Sequence, residues 1–204
     1  MDDHLRSPKL ERRAYRQSQR ADNTAETHRL LAKAAFELHD TIGPSRTTVS
    51  AIAERAGVQR LTVYRHFPND AAIFAACTSY SFEHDPPPNP DTWRNIADPS
   101  ERLIAALREV YGYYAKKRQL LSNLYRDAEL PVVADALARR QEVLQRGVAI
   151  LLEGRSRVSD AKSLKAALGH VLDFAIWRSL TETQGLNEKA AIKMALGFVD
   201  SASD

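Results

Sequence analysis

The chain has 204 residues, enough for one or two domains, and its composition of 44% hydrophobic and 27% charged residues argues against wholesale disorder. The single cysteine, Cys77, excludes an internal disulfide and a zinc site built from several cysteines. The N-terminus lacks the apolar stretch of a signal peptide, and no segment approaches the ~20 apolar residues of a membrane span. We therefore expect a cytoplasmic protein with no membrane partner.

The basic charge is concentrated in the first third of the chain. Residues 4–67 hold twelve Lys or Arg and six Asp or Glu, a net charge of +6, whereas the chain after residue 67 holds 17 basic and 18 acidic residues. A basic head on a neutral body is typical of a protein that binds a polyanion, and nucleic acid is the first candidate. A solvated basic tail is the alternative that charge alone leaves open.

The first part of the chain predicts an arm followed by four helices. Residues 1–23 are polar, basic and without an apolar period, which indicates a flexible arm. Helices are predicted at about residues 24–42, 49–56, 59–66 and 70–83. Thr24, Thr48 and Asp70 are the expected N-caps of the first, second and fourth helices, and Gly57 is placed to end the second.

The rest of the chain predicts further helices after a proline-rich loop. Each proline in residues 85–91 removes a backbone donor and restricts its predecessor, so this stretch is not helical. Helices are predicted at about residues 100–117, 119–128, 131–153, 159–184 and 188–202. The predicted fold is therefore all-α with about nine helices, divided into a three-helix head at residues 24–69 and a helical body at residues 70–204.

Residues 47–67 are the segment with the most chemistry. A short helix, a turn with glycine and a second short helix with polar early residues make a helix-turn-helix, which reads the major groove of DNA. Side chains suited to base edges are Gln59, Arg60 and Thr62. Side chains suited to phosphates, which set the register without reading sequence, are Arg46, Thr48, Tyr64 and His66.

The run from Thr48 to Phe67 resembles the DNA-binding signature of the TetR-like transcriptional repressors. It has threonine-valine, then isoleucine-alanine, alanine-glycine-valine and threonine-valine-tyrosine-x-histidine-phenylalanine at the family's spacing. The resemblance implies a homodimer in which each head enters a major groove. It also implies a C-terminal body that binds a small-molecule effector, and a dimer interface on the last two helices.

The chain departs from the family pattern at two positions. Members commonly carry a phosphate-binding lysine at the start of the fourth helix, where this chain has Asp70, whose charge repels the DNA backbone. The turn in members often ends in serine, whereas Gln59 stands here, a poor N-cap that is freer to reach a base. The basic arm either compensates by entering the minor groove, through Arg12, Arg13 and Arg16, or is a disordered tail.

The body concentrates aromatic residues on several predicted helices. Candidate pocket residues are Tyr111, Tyr114, Leu144, His170, Phe174 and Trp177. Buried hydroxyl, indole and imidazole groups need partners, so a bundle that holds several of them is expected to surround a mostly apolar or aromatic ligand. The alternative is that these side chains form an ordinary core.

The last two predicted helices carry more apolar surface than a helix packed on one neighbour requires. Candidate interface residues are Leu164, Leu168, Val171, Ala175, Met194 and Phe198. Two such hairpins related by a two-fold axis form a four-helix bundle, and they present two recognition helices about 34 Å apart to a near-palindromic operator. The alternative is that both helices cover the pocket of a monomer.

These features favour a ligand-responsive transcriptional repressor. The sequence contains no GxSxG, no HExxH, no glycine-rich phosphate loop and no HxxxH pair, so we expect no catalytic residues, no metal site and no cofactor. Two alternatives stay open, a constitutive DNA-binding regulator with a solid core and an enzyme with an appended helix-turn-helix. A clustered acid, base or metal site in the body would favour the enzyme.

Overall fold

The computed structural model describes residues 8–155 and 161–202, with side chains described from residue 17 onward. Within these ranges the chain forms nine α-helices and no strand, which confirms the all-α prediction. The helices are α1 Pro8–Thr41, α2 Val49–Arg55, α3 Arg60–His66, α4 Asp70–His84, α5 Pro99–Arg126, α6 Pro131–Leu152, α7 Ala161–Val171, α8 Phe174–Arg178 and α9 Glu188–Ser201. None of these helices combines the length and the hydropathy that crossing a membrane requires.

The chain divides into two compact units. The first unit contains α1 to α4 and ends at Asp85, and the second contains α5 to α9 together with the short segment Gly43–Ser45. In the first unit α1 packs against both α2 and α4. The first unit therefore includes α4 and ends near residue 85, whereas the sequence places the end of the head at residue 69.

The first helix is longer than the sequence predicts. It begins at Pro8 instead of Thr24, so residues 8–23 are helical and do not form a flexible arm. The Thr24 hydroxyl donates to a carbonyl one turn earlier at 2.7 Å and does not cap the helix. A polar helix has no apolar period to reveal it, which explains the difference. Residues 1–7 and the side chains of Arg12, Arg13 and Arg16 lie outside the described part of the chain.

The body helices break at points that differ from the predicted ones. The predicted helices at 100–117 and 119–128 form one helix, α5, with a kink where Lys117 has φ −100° and ψ 15°. The predicted helix at 159–184 is instead interrupted between α7 and α8. At this interruption the Asp173 carboxylate accepts a hydrogen bond from the Ala175 N–H at 2.6 Å and caps α8.

Two buried ionic side chains hold the second unit together. Arg102 is 6% exposed, and its guanidinium donates to the backbone carbonyls of Ile96, Ala97, Ile150 and Glu153. Asp127, at the end of α5, accepts from the Ser45 N–H at 3.0 Å. Hydrogen bonds from Arg126 and from Ser45 lower the pKa of Asp127 to about 2. Both side chains therefore join segments that are far apart in the sequence.

Candidate functional site

Local hydrogen bonds shape the helix-turn-helix. The Thr48 hydroxyl accepts from the Ala51 N–H at 3.1 Å and caps α2, as predicted. After α2, Gly57 has a left-handed φ of +68°, and the N–H groups of Gly57 and Val58 donate back to carbonyls in the last turn of α2. These two bonds make a Schellman turn, in which the left-handed position favours glycine. The turn sets the direction in which α3 leaves α2.

The recognition helix α3 buries one side and exposes the other. Val63 and Phe67 lie in the core of the first unit. The candidate DNA contacts Arg46, Thr48, Gln59, Arg60 and Tyr64 are exposed, and Thr62 and His66 are half-buried. Gln59 holds the N-cap position of α3 but makes no capping bond with its side chain. Its amide therefore has both donor and acceptor capacity for a base edge.

Ion pairs neutralise only part of the positive charge on the surface of the first unit. Glu37 pairs with Arg55 at 3.0 Å and with Lys33 at 3.8 Å, and it partly neutralises both. Three further arginines form no ion pair within the described part of the chain, namely Arg46, Arg60 and Arg65. Exposed cations of this kind bind DNA phosphates and displace counterions, which gives binding its salt dependence.

The polar side chains of α3 are only loosely held. The Arg60 guanidinium donates to the Tyr64 hydroxyl at 3.4 Å, which is long for a hydrogen bond and leaves Arg60 free to reorient toward a base. Burial lowers the pKa of His66, and the charge of His28, whose ring lies 6.1 Å away, lowers it further. His66 is therefore neutral near pH 7, and its imidazole offers a hydrogen-bond donor and not a positive charge.

Two details of this region escaped sequence reasoning. Leu61 is 57% exposed on α3, where an apolar side chain suits contact with a thymine methyl group. The sequence did indicate this exposure, because Leu61 stands two residues before the buried Val63 and helical spacing therefore puts it on a different side of α3. Asn69 caps α4, since its side chain accepts from the Ala72 N–H at 2.9 Å, and Asp70 is instead the first residue of the helix.

The second unit gathers four aromatic side chains from α5 and α8, here called the aromatic cluster: Tyr114, Tyr125, Phe174 and Trp177. The rings of Tyr114, Phe174 and Trp177 have centroids 5.4–5.8 Å apart. Tyr125 stacks on Phe174 with 5.4 Å between centroids. Tyr111 lies beside Tyr114, 6.4 Å away, and is fully buried. Four of the six predicted pocket residues are thus brought together.

The hydroxyls of Tyr111 and Tyr114 bind the backbone where α7 ends. Tyr111 donates to the Val171 carbonyl at 2.9 Å, and Tyr114 donates to the Leu172 carbonyl at 2.6 Å. Helix ends leave carbonyls without intrahelical partners, so these bonds satisfy groups that the interruption frees. Burial raises the pKa of both tyrosines, which keeps both hydroxyls protonated as donors.

The other two pocket candidates are placed differently. Leu144 is half-buried on α6 and packs against the core of the second unit. His170 is exposed on α7, and its ring lies 5.2 Å from the ring of Phe198 on α9. Among the described ring contacts, none joins His170 to the aromatic cluster. Helical spacing alone places His170 one turn before Phe174, but the interruption after α7 separates them.

A cation at the aromatic cluster escaped sequence reasoning. The guanidinium carbon of Arg140 lies 4.9 Å from the centroid of the Tyr114 ring, and Tyr125 is close enough to raise the pKa of the guanidinium. Burial acts to lower the pKa of Arg140, but the neighbouring tyrosines raise it overall, so the guanidinium is charged. A signal was present, because Arg140 is the one charged residue in an inward row of α6. That row is Val133, Leu137, Arg140, Leu144, Gly147 and Leu151.

The six predicted interface residues fall into two groups. Leu164, Leu168 and Val171 are at most 1% exposed and lie in the core of the second unit. Met194 is 57% exposed and Phe198 is 48% exposed, both on α9, and Ala175 is exposed on α8. The first group is packed within one chain, so only the second group is available to another molecule.

The chain is similar to several known bacterial regulators. Residues 31–77, which include the helix-turn-helix, match the family of bacterial regulatory proteins named tetR. An uncharacterized HTH-type transcriptional regulator of Mycobacterium tuberculosis is 26% identical over 152 residues, covering 71% of this chain and 77% of that protein. The class C tetracycline repressor protein of Escherichia coli is 29% identical over 115 residues, covering 52% of each chain.

The same fold occurs in a solved structure. NalD, the secondary repressor of the MexAB-OprM multidrug efflux pump in Pseudomonas aeruginosa, superposes with a TM-score of 0.64. The superposition covers 89% of this chain and 97% of NalD, at 21% sequence identity. The likeness therefore extends beyond the helix-turn-helix to the layout of the body helices, and it concerns the fold alone.

Proposed function

Because this chain is a TetR-like transcriptional regulator, we propose that it is a repressor that leaves its operator when a small hydrophobic or aromatic molecule binds the second unit. The observation that carries the DNA-binding part is α3, which buries Val63 and exposes Gln59, Arg60 and Tyr64. We expect the protein to act in the cytoplasm, where the operator DNA is found. The ligand would occupy the region around the aromatic cluster.

The exposed side chains of the head divide into base-reading and phosphate-binding groups. Arg60 binds guanine through two parallel hydrogen bonds, and Gln59 pairs with adenine. Arg46 and Tyr64 contact phosphates. Thr48 also donates to a phosphate, because its capping bond uses the hydroxyl oxygen only as an acceptor and leaves the proton available. The base-reading group therefore sets the sequence of the operator, whereas the phosphate-binding group sets affinity for any sequence.

Selection of bound DNA from a random pool tests this division. Arg60→Ala should cost about 1–3 kcal/mol per half-site and relax the preference at one base pair. Arg46→Ala is the matched control, because it removes an exposed arginine expected to contact only phosphate and should weaken binding to all sequences alike. A uniform loss from Arg60→Ala would reassign Arg60 to phosphate, and binding that does not weaken with salt would contradict the electrostatic argument.

We also propose that the protein acts as a homodimer through Ala175, Met194 and Phe198. The exposed side chains of Met194 and Phe198 lie one turn apart on α9. The exposed ring of His170 lies beside Phe198 and extends this surface. A two-fold axis through this surface buries the same patch on both copies. We expect such a dimer to present two α3 helices to a near-palindromic operator with half-sites ~34 Å apart.

Sedimentation of charged variants tests the dimer. Phe198→Glu should dissociate the dimer and lower operator affinity together, whereas Leu168→Glu is uninformative because Leu168 is fully buried in its own chain. Lys189→Glu is the matched control, since helical spacing places Lys189 on the opposite side of α9 from Phe198. A wild-type monomer at micromolar concentration would overturn the dimer.

Ligand response is tested by release of the selected operator. A hydrophobic or aromatic compound that raises the Tm of the protein should also release DNA, because binding to one state shifts the population toward it. Trp177→Phe should weaken this release while ligand-free DNA binding stays normal, and it is milder than Trp177→Ala in a side chain that is 4% exposed. If no compound releases DNA, the protein is better described as a constitutive DNA-binding regulator.

A further inference from the structure

We propose that Arg140 and Tyr125 form an anion-binding subsite beside the aromatic cluster, and that it takes the carboxylate of an effector with an aromatic or aliphatic body. The inference rests on the proposed function and deepens it, since it states which chemical class of molecule the second unit would recognise. Arg140 is a buried cation whose hydrogen-bond donors are not all satisfied by the described residues.

The guanidinium of Arg140 is buried with unused donors. Its Nε and Nη2 atoms are shielded from solvent and have no hydrogen-bond partner among the described residues. Burying a charged donor without a partner is costly, so such groups are rare unless something outside the chain completes them. Arg102 of the same unit shows the usual arrangement, because its guanidinium donates to four backbone carbonyls.

The two unused atoms are the pair that a carboxylate needs. The N–H bonds of Nε and Nη2 run parallel along one edge of the guanidinium plane, and this edge binds both oxygens of a carboxylate at once. The remaining interactions of Arg140 are with neutral groups, the Tyr125 hydroxyl and the Tyr114 ring. The chain therefore supplies no charge that neutralises Arg140 in the described residues.

The carboxylate that influences this region is already engaged. Asp173 acts on Tyr114 through its charge, but its Oδ1 accepts the capping hydrogen bond of α8 at 2.6 Å. A second cation, the exposed Arg178, lies over Phe174 with 5.8 Å between its guanidinium carbon and the ring centroid. Two cations on one group of aromatic rings favour an anionic ligand over a neutral or cationic one.

The position of Tyr125 gives the ligand a route and an orientation. Tyr125 is 37% exposed, stacks on Phe174 and interacts electrostatically with the guanidinium of Arg140. The subsite is thus one side chain away from solvent, with the faces of the aromatic rings next to it. A molecule with one carboxylate and an apolar body matches both features.

Matched pairs of probes that differ only in charge test the subsite. The pairs are 2-naphthoate with 2-naphthamide, 4-butylbenzoate with 4-butylbenzamide and decanoate with decanamide, titrated into the 204-residue chain by calorimetry. Wild type should bind at least one carboxylate about 10- to 100-fold more tightly than its amide, the range expected for a charge-assisted bond. Arg140→Met should abolish the difference, and Arg140→Lys should reduce it because lysine has no bidentate edge.

Arg139→Met is the matched control, because Arg139 is the neighbouring arginine of α6 and is exposed. It should keep the wild-type preference for carboxylates. Amides that bind as well as their acids, carboxylates that bind Arg140→Met as well as wild type, or no binding of any carboxylate at 1 mM would each overturn the subsite. Unfolding of the ligand-free proteins provides a second test, since Arg140→Met removes a buried cation that no described carboxylate neutralises and should be at least as stable as wild type.

Release of operator DNA, measured in the same samples, separates this inference from the proposed function. Carboxylates that bind through Arg140 without releasing DNA would support the subsite and count against the ligand-responsive repressor. A neutral compound that releases DNA equally from wild type and Arg140→Met would support the repressor and overturn the subsite. Release by carboxylates from wild type and from Arg139→Met, but not from Arg140→Met, is the expected result.

Discussion

Removing the hydroxyl of Tyr114 tests whether the interruption between α7 and α8 is held by tertiary hydrogen bonds. Tyr114 is 1% exposed and donates to the buried Leu172 carbonyl at 2.6 Å. In Tyr114→Phe this carbonyl keeps its burial but loses its donor, which costs about 1–3 kcal/mol of unfolding free energy. For a unit of this size the loss corresponds to roughly 4–12 °C in Tm.

Urea unfolding followed by tryptophan fluorescence is the appropriate assay. Both tryptophans of the chain, Trp93 and Trp177, lie in the second unit, so their emission reports on that unit and not on the head. Tyr64→Phe is the matched control, because it removes an exposed hydroxyl in the first unit and should leave the transition unchanged. A change below about 0.5 kcal/mol in Tyr114→Phe would show that the carbonyl finds another partner, and the explanation of the interruption would be wrong.

Three further predictions concern single residues. Gly57→Ala should cost the head about 1 kcal/mol in urea unfolding, entirely through the backbone, because no atom lies within 4 Å of the added Cβ while φ is +68°. Since the pKa of Asp127 is about 2, against an ordinary 3.8, its ionised form stabilises the fold above pH 3.8, and this contribution disappears between about pH 4 and 2. Asp127→Asn should therefore be less stable at pH 7 and lose less stability than wild type over that acid range. Burial raises the pKa of Cys77 to about 12, so iodoacetamide at pH 8 should modify it only when the first unit opens, and rapid labelling of the native protein would contradict this.

Much of the head could be predicted because its signals are local. The Thr48 cap and the Gly57 turn each involve hydrogen bonds between residues at most five positions apart. Such bonds depend on residue type and spacing, which a sequence displays directly. The same reasoning failed at Asn69 and Asp70, where two good capping residues stand side by side and only the backbone conformation decides between them.

The beginning of α1 and the end of α7 depend on information that no local pattern carries. Residues 8–23 are polar, so nothing in their spacing distinguishes a solvated helix from an arm. The apolar period of residues 159–184 continues through the interruption, and the hydroxyls that satisfy the freed carbonyls come from Tyr111 and Tyr114 about 60 residues earlier.

Short-range spacing and capping were enough to predict the helix-turn-helix, the exposed polar side of α3 and the all-α class. How the apolar and charged residues of the body are used depends instead on the tertiary structure. It buried Leu168 in its own chain and left Phe198 exposed, and it set the charged edge of Arg140 against the aromatic cluster. The physical reason is that burial depends on which helix faces meet, and a periodic pattern gives the faces of a helix without identifying their neighbours.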